Sequence, residues 1–409
     1  MSTASPTSNA RRAVVTGIGV LSGAAVGADA FWAALLEPAP EQTARRLVDF
    51  DPKAWLERRL RRHTDPFAQL AAAAADLARR DADLDTTDPE RTAVVLGTGN
   101  GSAGTAIREY LAYEELGPAG VSPLLGVLTM SNAAASVVAL LHQARGTTQA
   151  ISSGCASGTH AVGEAARLIK HGYADVVFTG AAESFYAAGR DEQAQHISGA
   201  MLAGLTNLRV LTRDAVSRPF DVDRDGFVPA DGACVLVLED LDRARARGAR
   251  IYAEVCGYGN TNDAGDLIAP AADGDGVRRA MELAIAEAGA EPGDVGFVNT
   301  HGTATVSNDQ AEATAIAKLF GSPGPAVNSI KGTTGHSGPA AGALEAGAVA
   351  LAIHHRLLPP TGGLRTLDPD ITVDVVQGAP RPWEPRLSLS TSLGLGGHNG
   401  AVALRPVES

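Results

Sequence analysis

The sequence has few cysteines, few aromatic residues and no long apolar run. Its three cysteines are an odd number and lie far apart, at Cys155, Cys234 and Cys256. We therefore expect reduced thiols and a cytoplasmic protein rather than a disulfide framework. The opening residues MSTASPTSNARR contain no apolar segment typical of a secretion signal, and no stretch reaches about 18 uninterrupted apolar residues. We therefore expect that the protein is neither exported nor inserted into a membrane.

Positive charge is also scarce. The chain carries 34 Lys and Arg against 46 Asp and Glu, which gives a net charge of −12 and argues against a nucleic-acid partner. One local exception is the run ERRLRR, with arginines at 58, 59, 61 and 62. This run fits either a solvated helix face or a basic patch for an acidic partner.

Glycine and small apolar residues are abundant. With 46 glycines and 45% hydrophobic residues among 409, the composition is typical of tightly packed helices on buried sheets. The length suits two fused α/β units of about 200 residues each. We expect a disordered tail over 1–11, one half over 12–248 and a second half over 249–409.

The segment from 147 to 184 combines a buried strand, a glycine-rich corner and a helix. Thr147 to Ser153 predicts the strand, and Thr159 to Lys170 has apolar residues at helical spacing. Cys155 lies between them, where free N–H groups and the positive end of the helix dipole would favour a thiolate. The corner is suited to a nucleophile, and a buried structural cysteine is the alternative.

The same layout occurs again in the second half. AISSGCASGTHAVGEAARLIKHG and AVNSIKGTTGHSGPAAGALEAGAVALAIHHR both consist of a strand, a glycine corner with a reactive side chain, an apolar helix and a basic end. Such order indicates an internal duplication. Both corners would lie at carboxyl ends of strands, where α/β sheets bind ligands.

The corners of the second half contain further candidates for chemistry. His301 lies in NTHGTAT, while Lys331 and His336 lie in KGTTGHSG, so all three can approach Cys155. Glu345 lies on an otherwise apolar helix and either pairs with a group such as Lys331 or points to the surface. The histidines lack further ligands at metal-binding spacing, so we expect no metal.

Five segments together resemble one family. They are, in chain order, GCASGTHAVGEAARLI, SRPFDVDRDGFVPADGA, NTHGTATVSNDQAEA, KGTTGHSGPAAGALEA and SLGLGGHNG. They are similar to the beta-ketoacyl-acyl carrier protein synthases, nearest to the type II fatty-acid and polyketide ketosynthases, over about residues 12 to 405. The resemblance implies a duplicated, thiolase-like α/β fold with five layers, α/β/α/β/α, and a dimer.

The resemblance also implies an activity and its residues. An acyl group would be condensed with malonyl-acyl carrier protein, with no bound cofactor because the carrier's phosphopantetheine holds the substrates. Cys155 would be the acyl-accepting nucleophile, and His301 and His336 would bind the malonyl thioester. The supporting positions would be Lys331 and Glu345 for the catalytic network, the N–H groups of Cys155 and Leu395 for the oxyanion hole, and Thr303 and Thr305 for the phosphopantetheine.

The sequence departs from the family pattern around the acyl pocket. Leu393 and Leu395 replace the usual phenylalanines of the gate, and Asp266 and Ile268 replace a His and a Thr of the facing loop. Residues from Leu125 to Met130 of a partner subunit would form the pocket floor. The chain extended by two carbons would be a fatty-acid, polyketide or polyene chain, and these departures favour a specialised polyketide or polyene role over a housekeeping fatty-acid role. We expect a homodimer or a pairing with a chain-length partner. A non-catalytic pocket-shaping subunit and an acyltransferase without decarboxylation are the alternatives.

Overall fold

The computed structural model describes residues 11–38, 41–43, 46–47, 50–186, 192–321 and 324–408, with the backbone alone for 192–198. Most of the predicted tail therefore lies outside the described residues. Arg11, which we assigned to that tail, instead forms ion pairs with Asp175 and with Asp240, the latter at 2.8 Å from its Nε. No helix in these ranges is long and apolar enough to cross a membrane.

Among the described residues, one or more helices follow each of the first eight strands, and the last five strands follow one another directly. The strands are β1 Ala13–Ser22, β2 Thr92–Gly97, β3 Thr148–Ile151, β4 Val176–Glu183, β5 Gly232–Asp240, β6 Ala253–Asn262, β7 Val295–Asn299, β8 Ala326–Asn328, β9 Leu357–Leu358, β10 Asp374–Val375, β11 Arg381–Pro382, β12 Leu387–Gly394 and β13 His398–Arg405. The helices are α1 Ala28–Leu36, α2 Arg58–Arg62, α3 Pro66–Asp81, α4 Ala103–Leu116, α5 Leu125–Thr129, α6 Ala133–Leu141, α7 Ser157–Lys170, α8 Glu192–Asn207, α9 Leu241–Ala246, α10 Asp275–Glu287, α11 Val306–Phe320, α12 Lys331–Thr334 and α13 Ala341–His355.

The two halves repeat one sheet topology. The first half has the order β1-β5-β4-β2-β3, and the second has β6-β13-β12-β7-β8 with the short strand β10 added beside β8. In each, the first two neighbouring pairs are antiparallel and the next two are parallel. A short antiparallel pairing of β1 with β6 joins the two sheets. The duplication predicted from the sequence is therefore present in the strand order.

The helices complete five layers. Helices α7 and α13 pack against strands of both sheets and form the central layer. Helix α3 covers the outer face of the first sheet, and α10 covers that of the second. The thiolase-like α/β/α/β/α prediction is confirmed.

Glycine and alanine make this close packing possible. A Cβ added at Gly19 of β1 would lie 1.9 Å from the carbonyl oxygen of Ala74 in α3. The helix therefore lies directly on the strand backbone, and the alanines of α3 from 71 to 75 are fully buried or nearly so. This contact explains why the sequence uses small residues where other sheets use branched ones.

Two helical segments near the site are interrupted. The segment 122–144 contains α5 and α6 with a break at Met130. The helix that carries Glu345 is preceded by a 3-10 turn at Gly338–Ala340 and runs as α13 to His355. Pro339 explains the second arrangement, because proline is tolerated in the first turn of a helix and not inside it.

Candidate active site

The corner between β3 and α7 positions Cys155. Gly154 has a φ of 58°, which favours glycine, and the Ser157 side chain accepts a hydrogen bond from the N–H of Ser153 and donates one to the carbonyl of Gly154. The loop after β12 lies against this corner so closely that a Cβ on Gly394 would be 2.7 Å from the Ser153 carbonyl oxygen. Both glycines are therefore required by geometry.

Two histidines from the second half lie beside this cysteine. The Cys155 sulfur and a ring nitrogen from each of His301 and His336 lie within 4.8 Å of one another. The two imidazoles meet edge to face, with centroids 5.0 Å apart and planes at 83°. Both histidines are buried, while Cys155 is half-buried. The sequence motifs that we grouped by chemistry thus converge in space.

Lys331 connects His301 to the central layer. Its ammonium forms an ion pair with Glu345, donates to the carbonyl oxygen of His301 at 2.5 Å, and lies 3.2 Å from Nδ1 of the same histidine. An ammonium has three N–H donors and no acceptor, so these contacts use all three. The Nδ1 of His301 is then an acceptor, which leaves the proton on Nε2.

Glu345 is buried rather than on the surface. Its side chain has no exposed area, and Ser392 donates a 3.5 Å hydrogen bond to the second carboxylate oxygen. Burial raises the pKa of this carboxyl group to about 7, while Lys331 lowers it. Of the two alternatives in the sequence, pairing with Lys331 is the one found.

A second buried carboxylate, not identified from the sequence, holds the backbone of His301. Glu312 in α11 accepts the N–H of His301 at 2.8 Å and that of Gly302 at 2.7 Å, and Thr391 donates to it at 3.0 Å. The available signal was a single acidic residue in the small-residue stretch AEATAIA. Because carboxylates seldom stay buried without partners, that stretch marks a structural anchor.

Burial acts against the thiolate predicted at Cys155. It raises the pKa of the thiol to about 11, although Lys331 and the N–H of Leu395 act in the opposite direction. Desolvation thus opposes the favourable position before the helix. A neighbouring base that takes the thiol proton would assist attack by this sulfur.

The neighbouring imidazoles are neutral. Burial lowers the pKa of both His301 and His336 well below the usual range, and the charge of Lys331 acts in the same direction. The ring of Phe227 meets His336 edge on at 4.9 Å, and the backbone of His336 is bonded to Val228 and Ala230. Neutral imidazoles can accept a proton at one nitrogen and donate one from the other.

A cavity of about 660 Å³, which we call the entrance cavity, opens onto these groups. Of the predicted pocket residues, Thr303, Thr305, Ile268, Leu393 and Leu395 line it together with Cys155 and both histidines. The two threonine hydroxyls are 3.0 Å apart. Their position would suit a polar arm that reaches toward the sulfur.

The remaining predicted pocket residues do not line the entrance cavity. The Asp266 carboxylate accepts the N–H groups of Ile268 and Ala269 and so stabilises its own loop, which corrects its prediction as a pocket residue. Leu125 and Met130 of this chain do not line its own entrance cavity either, and Met130 is 54% exposed. Their predicted role concerned a partner subunit.

The two loops predicted as the gate are bonded to each other. Gly396 donates to the carbonyl of Leu267 at 2.9 Å, and Asn399 donates to Asp263 at 2.7 Å. Asp263 and Asn399 were not identified from the sequence, where both look like ordinary loop polar residues. Their bond joins segments 136 positions apart, so only the fold brings them together.

A duplicated five-layered fold with a Cys-His-His set at facing corners is typical of enzymes of the thiolase-like class. Family models agree: "Beta-ketoacyl synthase, N-terminal domain" matches residues 10–244, and "Beta-ketoacyl synthase, C-terminal domain" matches residues 252–365. The chain therefore belongs to the beta-ketoacyl synthase family, whose reaction is an acyl-transferring condensation.

Individual relatives cover almost the whole chain. The 3-oxoacyl-[acyl-carrier-protein] synthase 2 of Rhizobium meliloti (strain 1021) is 36% identical over 427 residues, which cover 97% of this chain and 99% of that protein. The ishigamide ketosynthase/chain length factor has a TM-score of 0.87 at 31% identity, over 98% of this chain and all of that one. A type II polyketide synthase acyl carrier protein in complex with its ketosynthase gives a TM-score of 0.84 at 27% identity, over 98% of this chain and 100% of that one.

Proposed function

We propose that this protein condenses an acyl group held on Cys155 with the malonyl group of malonyl-acyl carrier protein, in a specialised polyketide or polyene pathway of the cytoplasm. The observation that carries the proposal is the approach of the Cys155 sulfur to His301 and His336 within 4.8 Å. One thiol and two neutral imidazoles provide a nucleophile, a proton acceptor and two donors for a developing oxyanion.

In the first half-reaction the Cys155 sulfur attacks the acyl thioester of a carrier. The thiol proton passes to a neighbouring imidazole and then to the departing carrier thiolate, so the new S–C bond replaces the old one without change in charge. The N–H groups of Cys155 and Leu395 would stabilise the tetrahedral oxyanion. The closeness of the Gly394 loop to the corner supports this role for Leu395.

In the second half-reaction the malonyl thioester loses carbon dioxide. The electron pair of the broken C–C bond moves to the thioester oxygen as an enolate, which the Nε2–H of His301 and a nitrogen of His336 would stabilise. The enolate carbon then attacks the acyl carbonyl and expels Cys155 as a thiolate, which takes up one proton from solvent. Lys331 supports the scheme because it occupies Nδ1 of His301 and leaves the donor on Nε2.

We propose that the reaction needs no bound metal or cofactor. Cys155, His301 and His336 have a spacing that three metal ligands also adopt. The positive charge of Lys331, 3.2 Å from His301, would oppose a cation at that place. Thr303 and Thr305 would instead bond the phosphopantetheine arm that delivers each substrate.

The carrier protein would dock through the basic helix α2. Arg58, Arg59 and Arg62 are exposed, whereas Arg61 is half-buried. In a chain of net charge −12 they form a local positive surface, which acidic carriers would reach by electrostatic attraction. The similar structure of a ketosynthase in complex with its acyl carrier protein supports the proposal that the partner is an acyl carrier protein.

A second subunit would complete the acyl pocket. Apolar side chains lie exposed along α4 to α6, among them Tyr110, Leu116, Val127, Met130 and Leu140. Such a surface is typical of a protein interface. We propose a dimer through this surface, formed with a second copy or with a chain-length partner, as in the ishigamide ketosynthase/chain length factor.

The test of this proposal is the Cys155→Ala variant. We expect it to lose acyl loading and condensation completely while it still decarboxylates malonyl-carrier protein slowly, because the imidazole donors remain. Intact-mass measurement of the protein after mixing with acyl-carrier protein follows loading, and release of acetyl-carrier protein follows decarboxylation. Condensation by Cys155→Ala would contradict the nucleophile. Wild-type loading without any decarboxylation would instead identify a simple acyltransferase.

A further inference from the structure

A second chamber continues from the entrance cavity. This chamber has a volume of about 650 Å³ and lies between α4, α8 and the start of α3. The two spaces share wall residues, namely Asn100, Phe185, Met201, Leu205, Leu208 and Leu395. An acyl group attached to Cys155 can therefore extend past Leu395 into the second chamber.

The second chamber combines apolar walls with two polar groups that have free hydrogen-bonding capacity. Asn100 lines both spaces and is exposed. Its backbone N–H donates to Glu183 at 3.3 Å, and its carbonyl accepts a hydrogen bond from the N–H of Ala103 at 3.1 Å. None of the hydrogen bonds among the described residues uses its side-chain amide. The amide thus offers two donors and one acceptor to whatever fills the space.

The second polar group lies in the part of the second chamber that the entrance cavity does not share. Arg108 donates to the Thr105 hydroxyl at 3.3 Å, and Thr105 in turn donates to the buried carboxylate of Asp65. The other acid near Arg108 is Glu109, at 3.9 Å. A guanidinium has five N–H groups, so Arg108 keeps donors available to a ligand.

These groups disfavour a plain hydrocarbon chain. A saturated acyl chain would displace water from the Asn100 amide and from Arg108 without replacing the lost hydrogen bonds. A site that holds such groups discriminates strongly in favour of a ligand that bonds them. Carbonyl or hydroxyl oxygens along the acyl chain would supply acceptors at both places.

We propose that the second chamber selects oxygenated acyl chains, with Asn100 bonding an oxygen near the chamber entrance and Arg108 bonding one farther along the chain. This inference rests on the proposed function, since it concerns the acyl group that Cys155 carries. The substrate class is then a partly unreduced, polyketide-like acyl thioester rather than a fully reduced fatty acyl thioester.

The test is an oxygen scan of the acyl chain with the full-length protein. Decanoyl-pantetheine is compared with a series in which one methylene at a time, from the fourth carbon to the ninth, is replaced by a carbonyl. The rate of Cys155 acylation is followed by intact mass. We expect two positions at which the carbonyl accelerates acylation, each by about tenfold relative to decanoyl-pantetheine, as for one or two hydrogen bonds gained.

Two variants assign these positions. Asn100→Leu, which keeps the size of the side chain, should remove the acceleration nearer the thioester and retain the other, and Arg108→Met should do the reverse. Arg145→Met, at a side chain 72% exposed and outside both cavities, is the matched control and should retain both.

Each outcome has one meaning. The inference is overturned if no carbonyl position accelerates acylation of the wild-type protein, or if both accelerations persist in both variants. In either case acylation by decanoyl-pantetheine still supports the proposed function. If no thioester acylates Cys155, the proposed function itself fails.

Discussion

Lys331→Met would separate the structural from the catalytic role of the buried ion pair. The substitution removes a cation whose side chain is 1% exposed and leaves Glu345, which is 0% exposed, without its partner. Breaking a buried pair by removing one member costs about 3–5 kcal/mol of the free energy of unfolding. The His301 carbonyl loses its short hydrogen bond at the same time.

A double variant restores stability without restoring chemistry. In Lys331→Met/Glu345→Gln the uncompensated charge is gone, so we expect at least about 2 kcal/mol of the lost free energy of unfolding to return. Nδ1 of His301 still lacks its donor, so the Nε2–H tautomer is no longer imposed. Loss of one oxyanion donor predicts malonyl decarboxylation about a hundredfold slower or worse in both variants.

The measurements are urea unfolding followed by intrinsic fluorescence and release of acetyl-carrier protein from malonyl-carrier protein. Cys155 loading is measured alongside and should fall much less than decarboxylation, since the sulfur and the backbone N–H groups of its corner remain. Recovery of decarboxylation together with stability in the double variant would refute the tautomer argument. A single variant as stable as the wild-type protein would refute the argument about the buried charge.

Three further predictions concern neighbouring parts of the site. His336→Ala should slow decarboxylation by about a hundredfold or more and acyl loading far less, as separate half-reaction rates would reveal; equal losses would mean that His336 serves both steps. Arg59→Glu/Arg62→Glu should raise the KM for the carrier protein and weaken its salt dependence, so unchanged kinetics at low salt would rule out docking at α2. Leu395→Phe should slow loading of conjugated acyl chains relative to short saturated ones, because a ring would narrow the passage beside Cys155; an unchanged ratio would make Leu395 a packing residue.

The grouping of Cys155, His301 and His336 was predictable because each member lies in a local motif. A strand, a glycine corner and a helix place Cys155, and similar corners place His301 and His336, so local patterns and the duplication were sufficient to group them. The contacts of Glu312 and the bond between Asp263 and Asn399 were not predictable in this way, because their partners are distant in sequence. The burial that opposes a thiolate at Cys155 was not predictable either, because the position before a helix is visible in the sequence and the depth of burial is not.

Asp266 shows the limit of reasoning by position within a motif. Its place in the facing loop predicted a pocket side chain, but an aspartate two residues before a free N–H readily bonds its own backbone. The same short polar side chain that could face a ligand thus shapes the turn instead. Ile268, which has no such option, does line the entrance cavity.

The repeated strand order has a consequence for the origin of the chemistry. The corner after β3 and the corner after β8 are equivalent positions in the two sheets, yet one presents a sulfur and the other presents Lys331 and His336. Two identical protomers related by symmetry would have to present the same side chain at both places. In a single chain that contains both repeats, the two equivalent corners can carry different residues. One corner therefore provides the proposed nucleophile, and the other provides the groups proposed to assist it.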